Sequence, residues 1–169
     1  MNTYRIALAN IRFPKSREES VTLAEEAIAE ASTERADVIC FPECFVPGYR
    51  GMNKEVLPPD PVFLERAWSN IASAAASAKV AVILGTERVV ADAVLASALV
   101  INRDGTMAGF QDKVQLDPSE SATTSAVVQP DGTLLVHQPY GKEGLLVADI
   151  NITLATGFLA SRYKPVEMC

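Results

Sequence analysis

Glu43 is the residue of this sequence whose setting most clearly suggests chemistry. It follows a short apolar run, residues 38–41, which predicts a buried strand, and Pro42 cannot donate a hydrogen bond to a neighbouring strand. We therefore expect strand pairing to stop at Pro42 and Glu43 to enter a loop at the edge of the sheet where ligands bind in open α/β folds. A carboxylate in that position suits general-base catalysis, and a salt-bridged or helix-capping glutamate is the structural alternative.

Lys113 is the second candidate, and its meaning depends on where Glu43 lies. It ends a predicted strand over residues 107–113, and a lysine at a strand end is usually a solvated surface charge. If the sheet places it beside Glu43, its ammonium group would keep the base ionised or stabilise a developing oxyanion. Both interpretations stay open on the sequence alone.

The cysteines and the single histidine are weaker candidates. Cys40, Cys44 and Cys169 form an odd count without paired metal-ligand spacing, so we expect reduced thiols and no metal site. Cys40 should be buried in its strand, Cys44 should point away from the side that Glu43 faces, and a terminal cysteine should be mobile. We therefore expect none of them to be a nucleophile. His137 lies in an alternating segment, which predicts an ordinary strand histidine.

Composition disfavours several classes of partner. The 169 residues carry a net charge of −6 and contain no cluster of lysine and arginine, which disfavours nucleic acid and anionic membrane surfaces. The longest apolar runs, residues 80–84 and 94–101, are well short of the ~20 residues that span a bilayer, and no signal peptide follows Met1. We therefore expect a cytoplasmic chain with a single domain over residues 1–169.

Apolar periodicity predicts an alternation of strands and helices. Ser16 and Glu19 form a capping box before one helix, and Asp60 with Pro61 begins another. A long loop, of a kind that is often functional, precedes Pro61 and starts near Tyr49. The predicted strands are residues 4–10, 38–41, 80–90, 96–101, 107–113 and 144–149. The order from the first strand to residue 101, β-α-β-α-β-β, predicts a layered α/β fold that ends in a hairpin.

Two segments near the middle and the end of the chain share one pattern. Residues 127–133 echo residues 100–106, and both predict a strand, an Asp-Gly-Thr turn and a returning strand. Asp-Gly turns are common in hairpins, but the shared flanks on both sides favour a duplicated unit. Beyond this unit, residues 154–160 predict a short helix.

Three stretches together resemble the nitrilase superfamily, the carbon-nitrogen hydrolases. They are residues 38–49 (VICFPECFVPGY), 110–118 (FQDKVQLDP) and 138–157 (QPYGKEGLLVADINITLATG). The resemblance implies an α-β-β-α sandwich that pairs into a homo-oligomer. It also implies hydrolysis of a small-molecule amide, nitrile or carbamoyl substrate without metal or cofactor. In this family a glutamate base, a lysine and a cysteine nucleophile act together, so the resemblance assigns Glu43 as the base and Lys113 as the lysine.

The sequence departs from the family where the nucleophile belongs. The family places a cysteine well after the lysine, in a turn that reads roughly C-x-D or C-x-E, and no such motif follows Lys113. After Glu120 the sequence passes directly to residues 122–127, which resemble the late strands, as though on the order of 100 residues were absent. Ser121 stands where many members have a second glutamate, so Glu120 is a possible supporting carboxylate.

The resemblance and the departure lead to two expectations. The first is an abbreviated sandwich whose second βαβα half is largely missing, with an N-terminal half over residues 1–120 and C-terminal strands and a tail over residues 121–169. Such a chain would be a carbon-nitrogen hydrolase by family and inactive alone. The alternative is a non-catalytic binding or interaction protein that self-associates or pairs with a full-length relative. A nucleotide binder ranks last because no G-x-G-x-x-G motif follows a strand.

Overall fold

A computed structural model of the chain describes residues 3–51, 55–91, 93–113, 125–138 and 143–155. The elements are β1 (Thr3–Asn10), α1 (Arg17–Thr33), β2 (Val38–Cys40), α2 (Pro61–Ala78), β3 (Ala81–Val90), β4 (Ala93–Ile101), β5 (Met107–Asp112), β6 (Ser125–Val128), β7 (Leu134–Gln138) and β8 (Gly144–Asn151). Six of the strands form one sheet in the order β5-β4-β3-β2-β1-β8, and β6 and β7 form a separate two-stranded sheet. The predicted order of strands and helices is confirmed.

Parallel pairing is confined to the centre of the large sheet. β2 pairs in parallel with both β1 and β3, and the remaining neighbours, β1 with β8, β3 with β4 and β4 with β5, are antiparallel. The carboxyl ends of β1, β2 and β3 therefore lie at one edge of the sheet. This is the edge at which ligands bind in open α/β folds.

Both helices begin at the residues that the sequence predicts. Ser16 accepts a hydrogen bond from Glu19 N at 3.1 Å, and Asp60 accepts one from Phe63 N at 3.1 Å. The predicted capping box is only half formed, because the Glu19 carboxylate accepts from the backbone of Lys15 and from Arg12 instead. Neither helix in the described ranges is long and apolar enough to cross a membrane.

One face of the large sheet is covered at its centre by the two helices. A row of four side chains, Ala7, Ile39, Val82 and Ile101, crosses the strands β1 to β4, and each of them is fully buried. The helices contribute Ile28, Leu64 and Ile71 to the same core. Burying one such aliphatic side chain contributes about 1.5–3 kcal/mol, so this layer of helices against the sheet is the main source of stability.

The opposite face, which we call the open face, is much less covered. Its neighbouring row consists of Leu8, Cys40, Ile83 and Val100. Leu8 and Cys40 are half-buried, and Ile83 and Val100 are each 36% exposed. The prediction that Cys40 is buried is therefore wrong, because its side chain projects from the open face and not into the core beneath the helices. β6 and β7 contact this sheet at its β8 edge.

The repeated sequence pattern gives two hairpins with the same turn. Asn102 N donates to Thr106 O at 2.9 Å in the β4–β5 hairpin, and Gln129 N donates to Thr133 O at 2.8 Å in the β6–β7 hairpin. In each turn an aspartate side chain accepts from the threonine two residues later, and the glycine between them has a positive φ. The prediction of two matching strand-turn-strand units is confirmed.

The predicted helix over residues 154–160 is not found where the chain is described. A single 3₁₀ turn, Ile152–Leu154, follows β8, and Ala155 has already returned to extended backbone. Asn151 caps this turn by accepting from Thr153 N at 3.1 Å. A short polar cap thus replaces the expected start of the helix, and residues 156–160 lie outside the described ranges.

Candidate active site

Glu43 lies on a three-residue turn that leaves the sheet and returns to it. Phe41 N donates to Ile83 O at 2.9 Å, and Val46 N donates to Gly85 O at 3.2 Å, so the residues on both sides of the turn are bonded to β3. The chain advances five residues, from 41 to 46, while β3 advances two, from 83 to 85. The prediction that pairing stops at Pro42 and that Glu43 enters a loop is therefore confirmed, and the structure adds that pairing resumes at Val46 in a single bridge to Thr86.

Gly85 allows the turn to lie directly against β3. A Cβ atom at this position would stand 1.8 Å from the carbonyl oxygen of Pro42 and 2.9 Å from Cα of Glu43. Phe45 N closes the turn by donating to Pro42 O at 3.3 Å, and Cys44 takes a φ of 47°. Close backbone approach of this kind is one of the uses for which glycine is required. The position of Glu43 thus depends on a residue of a different strand.

Lys113 is placed by the end of β5. Its backbone N donates to Ala96 O at 2.8 Å, which continues the pairing with β4 past Asp112. Asp112 is anchored in turn, because Ser97 Oγ donates to it at 2.6 Å and the Arg88 guanidinium pairs with it. The hydrogen bonds from Arg88 and Ser97 hold the pKa of Asp112 below its ordinary value. The strand end that carries Lys113 is therefore fixed to its neighbour β4 and, through Arg88, to β3.

These two elements bring Glu43 and Lys113 into contact. Lys113 Nζ donates to Glu43 Oε1 at 3.0 Å, although the residues are 70 positions apart in the sequence. The two side chains are 33% and 29% exposed. Water screens a pair with this exposure, so it contributes little to stability, roughly 0–1 kcal/mol. Lys113 therefore lies beside Glu43, which is the condition under which the sequence makes it a candidate for chemistry.

The pair faces a small cavity on the open face. The cavity has a volume of about 350 Å³ and is lined on its apolar side by Phe41, Ile83, Ala96 and Ala98. This volume is within the range of small-molecule sites, which are mostly apolar with a few polar groups that orient the ligand. The polar lining of the cavity consists of Glu43, Lys113, Ser97, Gln111 and Asp112.

The described cysteines have thiols of low reactivity. Cys44 is buried, and its Sγ donates to the carbonyl of Thr86 at 3.7 Å. Burial, reinforced by the charge of Glu87, raises the pKa of the Cys44 thiol to about 12. Burial also raises the pKa of Cys40. Neither residue lines the cavity, and both thiols are far from the thiolate state that nucleophilic attack requires.

The remaining predicted candidates contribute nothing to the described site. Glu120 and Cys169 lie outside the described ranges. His137 is an exposed residue of β7, which confirms the prediction of an ordinary strand histidine. Within the described residues, no group of three or more histidine, cysteine, aspartate or glutamate side chains is arranged to hold a metal ion.

Sequence reasoning missed Arg50 and Glu87, which form an ion pair between an exposed guanidinium and a buried carboxylate beside the Glu43 turn. Glu87 is only 2% exposed, and both of its carboxylate oxygens are bound by the Arg50 guanidinium. A signal was present, because Glu87 is the one carboxylate in the predicted strand over residues 80–90, at a position that alternation assigns to the same sheet face as Ile83 and Gly85. A carboxylate in a buried strand needs a partner.

The chain belongs to the carbon-nitrogen hydrolase family. The family model described as "Carbon-nitrogen hydrolase" matches residues 5–123, which include Glu43 and Lys113. The match ends close to Glu120, after which the predicted departure from the family pattern begins. The architecture is accordingly an abbreviated α/β fold of the nitrilase type, as the sequence predicts. A comparison with curated proteins finds no significant match.

Several solved structures share the fold at low sequence identity. A carbon-nitrogen hydrolase from Helicobacter pylori is 16% identical with a TM-score of 0.59, and the match covers 69% of this chain and 41% of that one. An amidase from Nesterenkonia sp. is 20% identical with a TM-score of 0.55, covering 73% and 51%. A glutamine-dependent NAD+ synthetase from Acinetobacter baumannii is 18% identical with a TM-score of 0.57, covering 75% and 26%. The chain thus spans about half or less of the length of these proteins.

Proposed function

We propose that this chain carries the general base and the oxyanion-stabilising lysine of an amide- or nitrile-hydrolysing site and is inactive alone. The observation that carries the proposal is the contact between Glu43 Oε1 and Lys113 Nζ, 3.0 Å long, at a cavity of about 350 Å³. Membership of the family supports the reaction class, and one solved relative is an amidase. A small uncharged amide or nitrile is the substrate class that agrees with the apolar lining.

The chemistry divides the work between the two groups. For an amide, a cysteine thiol attacks the carbonyl carbon while Glu43 accepts the thiol proton, and Lys113 stabilises the negative charge on the former carbonyl oxygen. Collapse of this tetrahedral intermediate expels ammonia, which takes up the proton held by Glu43, and leaves a thioester. Glu43 then removes a proton from water, which attacks the thioester and releases the carboxylic acid and the thiol.

The thiol is the missing component in this scheme. Cys44 has a pKa of about 12 and is buried, Cys40 has a raised pKa at the end of β2, and neither residue lines the cavity. A thiol of this kind is almost entirely protonated at neutral pH, and burial blocks its approach to a substrate. The base and the lysine are thus placed to act on a nucleophile that the described residues do not bring to the cavity.

Ammonia release tests this proposal directly. We expect the purified chain to release no more ammonia from acetamide, propionamide or acetonitrile than its Glu43→Gln variant does. A coupled glutamate dehydrogenase assay measures ammonia at the required sensitivity. Release by the unmodified chain that disappears in Glu43→Gln would show that the site is complete, and would contradict the inactivity of the chain.

A second candidate function, self-association through the open face, is favoured by the exposure of Ile83 and Val100. A second copy of the chain would cover these side chains, which otherwise remain in contact with water. We expect sedimentation equilibrium to show a mass that rises with concentration, and we expect Val100→Asp to make the chain monomeric. Val62→Asp is the matched control, because Val62 is 75% exposed on α2. A monomer at every concentration would exclude this candidate.

A further inference from the structure

We propose that Arg50 and Glu87 are a positioning pair, which holds the Glu43 turn against β3. This inference rests on the proposed function, because it assumes that the placement of Glu43 matters for the site. Neither residue lines the cavity or touches Lys113 through a described contact. The pair acts on Glu43 through the chain that connects residue 43 to residue 50.

The first element of this arrangement is the buried carboxylate. Glu87 lies two residues beyond Gly85 on β3, so the alternation of a strand places both on the open face, beneath the turn. Arg50 Nε donates to Glu87 Oε1 at 2.5 Å, and Arg50 Nη2 donates to Oε2 at 3.0 Å. A two-pronged contact of this kind fixes orientation as well as distance, which a single ammonium group cannot do.

The second element is the backbone that leaves the turn. Val46 N donates to Gly85 O at 3.2 Å, and Glu87 N donates to Val46 O at 3.2 Å. Val46 is therefore bonded to β3 through both its backbone N–H and its carbonyl oxygen. Four residues later, the side chain of Arg50 returns to the same strand residue, Glu87. The end of the turn is thus held twice at one position, once by the backbone and once by the ion pair.

The third element is the long loop that follows. The Arg50 guanidinium also donates to the carbonyl oxygens of Val56 and Leu57, at 3.2 and 2.8 Å. One side chain thereby connects β3, the segment after the turn and the loop before α2. Loss of Arg50 would release all of these connections together, whereas loss of Glu87 would release the connection to β3.

Stability alone is a poor reason for such a pair. Desolvation of the buried Glu87 carboxylate offsets much of its attraction to Arg50, whose side chain is 33% exposed, and apolar replacements of similar volume are often equally stable. A positioning role gives a different expectation. Replacing both charged residues with apolar ones would keep the free energy of unfolding but would not keep the connections between β3 and the segment after the turn. The two roles can therefore be separated with variants.

The test measures cleavage by a glutamyl endopeptidase after Glu43, compared with cleavage after Glu65 in α2. We expect Glu87→Gln to accelerate cleavage after Glu43 at least tenfold relative to cleavage after Glu65. Local opening exposes only the first bond, whereas global unfolding exposes both. In Arg50→Lys the Glu43 bond should be protected to an intermediate degree, because lysine keeps the positive charge but cannot form the two-pronged contact with Glu87. Equal protection of the Glu43 bond in Glu87→Gln and the unmodified chain would overturn the proposal.

A double variant keeps the proposal falsifiable if single changes prevent folding. Arg50→Met combined with Glu87→Leu leaves no unpaired buried charge, so we expect a urea midpoint near that of the unmodified chain. Cleavage after Glu43 should nevertheless remain at least tenfold faster in this variant. A stable double variant with a protected Glu43 bond would show that the pair is structural only.

Arg17→Met serves as the matched control. Arg17 forms an ion pair of 2.8 Å with Asp60 at the far end of the same loop. Its removal should leave cleavage after Glu43 unchanged. None of these cleavage results depends on catalysis. If the positioning proposal fails, the contact between Glu43 and Lys113 is unaffected. Absence of that contact would instead count against the proposed function.

Discussion

Replacing Gly85 with alanine is expected to lower the free energy of unfolding by about 3 kcal/mol or more. The added Cβ would stand 1.8 Å from the carbonyl oxygen of Pro42 and 2.7 Å from its carbonyl carbon. Both atoms belong to the backbone of the Glu43 turn, so no side-chain rotation relieves the overlap. The turn must move away from β3 or the strand must shift, and urea unfolding followed by circular dichroism measures the loss.

Gly51→Ala provides the control for a general effect of glycine replacement. Among the described residues, a Cβ at Gly51 would approach only the aromatic ring of Tyr49, at 2.8 Å, and this clash involves a side chain and not the backbone. We expect a change of less than about 1 kcal/mol at this position. If Gly85→Ala is as stable as Gly51→Ala, the turn does not lie against β3 as described, and the placement of Glu43 must be revised.

Alkylation of Cys44 is expected to be about a thousandfold slower in the folded chain than in the unfolded chain at pH 8. The pKa of this thiol is raised from 9.0 to about 12, so the reactive thiolate is about a thousandfold rarer. Burial slows the reaction further by limiting access. Iodoacetamide labelling of a Cys40→Ala, Cys169→Ala variant isolates Cys44, and urea-unfolded protein supplies the reference rate.

The pH dependence of the labelling rate shows in which direction the pKa of Cys44 is shifted. The labelling rate of folded Cys44 should still be rising above pH 10, whereas the unfolded chain should reach its plateau near pH 10, above the ordinary thiol pKa. Labelling of the folded chain within a factor of ten of the unfolded rate would identify Cys44 as an accessible, activated thiol. In that case Cys44 would become the candidate nucleophile and the inactivity of the chain would no longer be expected.

Local signals in the sequence were sufficient to predict most elements of the fold. The caps at Ser16 and Asp60 depend on contacts within four residues, and the two Asp-Gly-Thr hairpins depend on their own turn residues. The apolar run that ends at Phe41 likewise predicted β2 and the exposure of a carboxylate after it. Lys113 was found through its position at a strand end and through resemblance to the family.

Features that depend on distant parts of the chain could not be predicted from local patterns. The return of Val46 to the sheet depends on a carbonyl of β3, and the close approach of the turn depends on the absence of a side chain at Gly85. The half-buried state of Cys40 reflects which face of the sheet the helices leave uncovered. The partner of Glu87 lies 37 residues earlier, in a loop without periodicity. In each case a tertiary contact decides the local structure.

The contact between Glu43 and Lys113 is the central claim, and zero-length cross-linking tests it most directly. A carbodiimide activates a carboxylate and joins it to an amine only when the two groups touch, with loss of one water molecule. The account predicts that tryptic mass spectrometry of the folded chain will show an isopeptide bond between Glu43 and Lys113. This bond should be absent in Glu43→Gln and several-fold rarer in urea. A folded chain in which Lys113 links to another carboxylate, or to none, would contradict the account.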